Sequence, residues 1–254
     1  MAGRRARVQN ADMTVDAPGP ASSQDDDVAQ LTDAQKSLRA QMLATEHWSL
    51  LASRSTTQSE VLTRIAIFLT LVSAGLVTLG VLGNATEFRG WFGVAALGVL
   101  FLLVLLGVIT QLRVFNTATE DLVYVLAMNR LRGAYLDLDP GIEPYFMMGT
   151  TDDDQGAGKT YYAFADRDRS QVFASSMMLI LVVNTALVGL FGGSLTYALA
   201  GSVGWSIAVG VVIAIAVFVL WMSWGYRGYL HVLRVHVPMR RSDGGGAPPS
   251  AAAR

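Results

Sequence analysis

Apolar and polar positions alternate in long blocks along the chain rather than in short strands or amphipathic helices. Residues 65–82 carry no charge, residues 91–110 carry none, and residues 172–226 form one uncharged block. About 20 helical residues cross a hydrocarbon core of roughly 30 Å, so the last block is too long for one span. Its Gly/Ser-rich stretch "GGSLTYALAGSVG" (192–204) divides it into two. A soluble helix needs a polar stripe, and these four segments are apolar all round. The pattern predicts an all-α membrane protein with four transmembrane helices in two hairpins and cytoplasmic helical extensions.

The polar blocks fix the organisation around the spans. Residues 1–25 read as a disordered tail. Residues 26–60 follow as a cytoplasmic and juxtamembrane helix, and 61–110 as the first hairpin. "TQSE" (57–60) matches a capping box, predicting a helix restart just before the first span. Residues 111–139 form a cytoplasmic helix whose seam includes Leu112, Phe115, Leu122 and Leu126. Its expected partner is the helix over 27–53, and "DPGIEP" (139–144) ends it because prolines cannot continue a helix. A flexible cytoplasmic loop covers 140–171, the second hairpin 172–226, and a basic juxtamembrane segment with a disordered tail 227–254.

Composition agrees with this reading. Among 254 residues, 52% are apolar and only 15% charged, against roughly 25% in soluble domains. A formal net charge of −1 provides no field that would recruit nucleic acid. The absence of cysteine excludes disulfides and thiolate chemistry. Arginines gather in the N-terminal, middle and C-terminal segments, whereas the short connectors hold only Arg89. That bias predicts both termini in the cytoplasm, and the preference for arginine over lysine, with abundant Ala, Gly and Val, points to a bacterial gene and so to a bacterial inner membrane. Arg64, Arg227, Arg234, Arg240 and Arg241 are the candidates for lipid headgroups.

Stripes of small residues mark where helices approach closely in lipid. Ala66, Thr70, Ala74 and Thr78 form one on the first span. Gly189 on the third span and Ser206, Gly210 and Ala214 on the fourth continue the pattern. The second span has no such stripe and is expected to face lipid. Asn184 is the strong hydrogen-bonding side chain deep in a span, and an interhelical hydrogen bond is its expected role. Past Arg64 the spans hold no titratable group of the kind that ion-coupled transporters use.

"GAGKTYY" (156–162) looks like the tail of a phosphate-binding loop, but the glycine that such a loop needs five positions before Gly158 is Asp153. Its neighbours Asp152 and Asp154 would repel a triphosphate. The three histidines show no ligand spacing, so the sequence predicts no catalytic, cofactor or metal site.

"TEHWSLLASRSTTQSEVLTRIAIFLTLVSAGLVTL" (45–79) and "MNRLRGAYLDLDPGIEPYF" (128–146) resemble segments of a group of uncharacterised bacterial multi-pass membrane proteins. The polar helix, two-span hairpin and following helix also look like two-span membrane effectors of bacterial defence systems, which are thought to perturb the membrane. The second hairpin departs from that plan. The expectation is a non-enzymatic, self-associating membrane protein with the bilayer, a second copy and a cytoplasmic protein as partners. A small pore or channel-like effector is the alternative, and a lipid-modifying enzyme the third reading.

Overall fold

The computed structural model describes residues 31–163 and 175–242. The tail expected over 1–25 and the end of the segment over 227–254 lie outside them. Among the described residues all regular structure is helical: α1 (Asp33–Ala85), α2 (Phe92–Leu138), a 3-10 helix (Pro140–Tyr145), α3 (Asp154–Tyr161), α4 (Ser176–Ala200) and α5 (Val203–Val235). Four of them, α1, α2, α4 and α5, are long and apolar enough to cross a membrane. They form two hairpins.

No break interrupts α1, which at 1.5 Å per residue is about 80 Å long. The restart expected at 57–60 does not occur. Thr56 and Thr63 instead donate their hydroxyls to the carbonyls of Ala52 and Ser59, at 3.0 and 2.9 Å. Such bonding back by one turn satisfies Ser and Thr inside a helix without ending it. The working capping box lies at Thr32, whose hydroxyl accepts from the Gln35 backbone while the Gln35 side chain accepts the Thr32 N–H. Likewise α2 runs from its span to Asp139 without interruption, so the two sequence segments over 61–110 and 111–139 share one rod. "DPGIEP" ends it as expected, with Asp139 accepting the Gly141 N–H at 2.9 Å.

The second span packs between α1 and α4, while its Phe101, Leu102, Leu105 and Ile109 stay exposed as expected of a lipid-facing helix. On one side its Leu103 closes on Gly75 of α1, and on the other its Gly107 lies against Asn184 of α4. Buried Ile65 and Phe68 of α1, Leu100 and Leu103 of α2 and Ile180 and Leu187 of α4 fill the space between them. The α4–α5 hairpin is tighter still. A Cβ on Gly189 would lie 2.8 Å from the Gly210 carbonyl oxygen, and one on Gly210 would lie 2.8 Å from that of Gly189. The backbones touch.

Candidate functional site: the polar head

At the end opposite the hairpin turns, the extensions of α1, α2 and α5 meet the 3-10 helix, α3 and the segment 236–242. We call this region the polar head. Its core is Leu122, Val125, Leu126 and Met128 of α2 with Ala157 of α3, against which Leu50, Tyr229, Val232 and Leu233 pack. Leu122 and Leu126 are thus buried as the seam predicted. The helix over 27–53 is only part of their cover, and α3 and α5 supply the rest. Leu112 and Phe115 belong instead to a second cluster, where Phe115 stacks on Trp221 with ring centroids 5.5 Å apart. Leu38, Met42 and Trp48 of α1 stay exposed.

Two carboxylates organise the head. Asp121 of α2 accepts Arg54 Nε at 2.6 Å, Gln58 Nε2 at 2.9 Å and the Tyr161 hydroxyl at 2.8 Å. It thereby ties α1, α2 and α3 at one point. Burial and the Asp121 charge push the Tyr161 phenol far up, so it stays a donor. Nearby, His47 is held below the usual histidine range by burial and by the positive charge of Arg132.

The second carboxylate is Asp152, fully buried in the segment expected to be a flexible loop. It accepts Arg130 Nε at 2.8 Å and the backbone N–H groups of Met239 and Arg240 at 3.1 and 2.8 Å. His236 Nε2 lies 2.7 Å from its carbonyl oxygen. Next to it, Asp153 caps α3 by accepting the Gly156 N–H at 2.8 Å, and it also accepts the Ser242 N–H at 2.7 Å. Burial alone would raise both carboxyls. The N–H groups of Arg240 and Met239 and the Arg130 guanidinium outweigh it at Asp152; those of Ser242 and Gly156, with the Ser242 and Thr151 hydroxyls, do so at Asp153. Both therefore lie below the usual carboxylate range.

The "GKT" stretch is structural here. Thr160 donates to Asn129 Oδ1 at 2.7 Å and accepts the Gly149 N–H at 3.0 Å, pinning α3 onto α2. A cleft of about 910 Å³ opens beside it, with Ala118, Lys159, Tyr162 and Tyr229 among its walls. Among the described residues no three His, Asp or Glu side chains converge as metal ligands.

The arginines divide. Arg227, Arg234 and Arg241 are exposed, while Arg64 is half engaged by Glu60 at 2.9 Å. Arg240 is not free for a headgroup: its guanidinium pairs with Asp137 and its backbone with Asp152. The small-residue stripes divide as well. Gly189, Ser206 and Gly210 are buried between α4 and α5, with Ala214 packed beside Gly189. Ala66, Thr70, Ala74 and Thr78 face outward from α1. Asn184 is buried, yet neither atom of its amide has a hydrogen-bond partner among the described residues, so the expected interhelical bond is not made. Sequence reasoning missed Gln111, which lies at the end of the charge-free stretch before Arg113 and is equally buried and unpartnered among the described residues. The tail over 226–254 and the segment over 111–170 carry opposite net charge, which points to their attraction, but no local signal singles out Asp152 as the buried residue that pairs with the C-terminal segment.

No family model, curated protein or solved structure matches the chain.

Proposed function

We propose that this is a non-enzymatic, self-associating protein of a bacterial inner membrane, whose polar head lies in the cytoplasm and couples a bound partner to the spans. The carrying observation is the continuity of α1 and α2 from head to hairpin turn. A helix resists bending, so a shift at the Arg54–Asp121 clamp is carried along both rods into the bilayer. The arginine bias supports the orientation. The outward stripe Ala66–Thr70–Ala74–Thr78 supports contact with a second copy, and exposed Leu38, Met42 and Trp48 suit a protein partner on the head.

The chain contains no cysteine, so spin labels can be placed at will. Labels at Thr78 in liposomes should report a defined distance between copies, and that distance should change when Asp121→Asn loosens the head. A distribution without a short distance rules out self-association through this face. A short distance indifferent to Asp121→Asn rules out the coupling.

A further inference from the structure

The spans contain a polar feature that no charge pattern reveals. Gln111 of α2 and Asn184 of α4 are both wholly buried, and all four of their amide atoms lack a hydrogen-bond partner among the described residues. Each carboxamide offers two donors and two acceptor positions. In hydrocarbon nothing outside the protein can satisfy them, so such groups persist only where something within the bundle does. The Asn184 amide lies directly against Gly107, where a Cβ would collide with Oδ1, and the Phe68 ring is 3.1 Å from that same Cβ position. Gln111 is one turn further along α2 on the face of Gly107. The same face continues through Val114 to Ala118, which lines the cleft of the polar head. Beside Ala118, the buried hydroxyl of Thr117 is also without a partner among the described residues.

We propose that Gln111 and Asn184 form an internal hydration site between α2 and α4, filled by water that exchanges through the polar head. Water fits the chemistry better than an ion. The amides are neutral, the nearest charged residue along α2, Arg113, is already paired with Glu60 and Glu120, and a small molecule that both donates and accepts complements a carboxamide on both its ends. Buried waters of this kind make about three hydrogen bonds each, to groups otherwise unpaired. The site is independent of self-association and of the direction in which the head faces.

Water-edited solid-state NMR of the unmodified, isotope-labelled chain in liposomes tests it directly. The side-chain amide signals of Gln111 and Asn184 should receive magnetisation from water as readily as amides of the polar head. They should also exchange in deuterated buffer, while the backbone amide of Leu103 on the same helix stays dry. Signals as protected as Leu103 overturn the proposal, and so does a direct amide–amide contact without water transfer. Melting in detergent gives a second reading: Gln111→Leu and Asn184→Leu should each lower the Tm, because each strands the water and the other amide. A raised Tm in either variant means a dry, unpaired amide and overturns the site.

Discussion

Asp152 and Arg240 hold each other twice: the Asp152 carboxylate accepts the Arg240 N–H at 2.8 Å, and the Asp152 N–H donates to the Arg240 carbonyl at 3.2 Å. With Met239, His236 and Arg130 converging on the same residue, one buried aspartate fastens the C-terminal segment to α2 and α3. The segment 236–242 beyond the last span is thereby joined to the helix at the bundle's centre.

Removing that carboxylate leaves two backbone donors and a half-buried guanidinium without their acceptor. Asp152→Ala should weaken attachment of the segment by about 2–3 kcal/mol. Limited trypsin digestion would read this as much faster cleavage after Arg240 and Arg241, with the spans still folded.

Acid should do the same reversibly. The folded-state pKa values of Asp152 and Asp153 lie below the ordinary value, so their contribution is complete at neutral pH. It erodes as the pH falls below about 4 and is gone once the pH passes through the folded values. Hydrogen exchange of the Arg240 and Ser242 amides, corrected for the intrinsic rate, should accelerate over that range. In Asp152→Ala, which has no side-chain acceptor, the Arg240 amide should exchange quickly at every pH.

Backbone contact between Gly189 and Gly210 leaves no room for a methyl group. Gly189→Ala and Gly210→Ala should each destabilise the second hairpin by about 1–3 kcal/mol, as overpacked cores do. Gly80, with open space around its Cβ position, should accept alanine with little change in detergent melting temperature.

The outward stripe on α1 makes the opposite prediction. Ala74→Ile adds bulk to an exposed position, so the melting temperature of the single chain should hold. Association between copies, read by single-molecule photobleaching in bilayers, should fall. A stripe that merely faced lipid would leave subunit counts unchanged.

Part of this architecture is written along the chain. The four spans are legible because a helix apolar on every side has one solvent it can face, and that property belongs to the segment itself. The end of α2 at Asp139–Pro140 is equally local, since proline removes the donor that the next turn needs. Leu122 and Leu126 could be assigned to a buried seam from their spacing alone.

What covers that seam could not, because α3 and Tyr229 reach it from distant parts of the chain. The apparent restart at Thr57–Glu60 failed for a related reason: a capping box and a mid-helix Ser/Thr cluster have the same letters, and only the unbroken rod distinguishes them. "TTDDD" reads as a solvated acidic loop until His236, Met239 and Arg240 arrive from the other end of the sequence to surround Asp152. The central place of α2 rests on its Leu103 closing on Gly75 of α1 and its Gly107 meeting Asn184 of α4. Local hydrophobicity and backbone chemistry therefore determined which segments enter the membrane and where rods stop. The tertiary structure alone decided which rod lies at the centre and which carboxylate is buried, because burial and pairing depend on residues that sequence distance keeps apart.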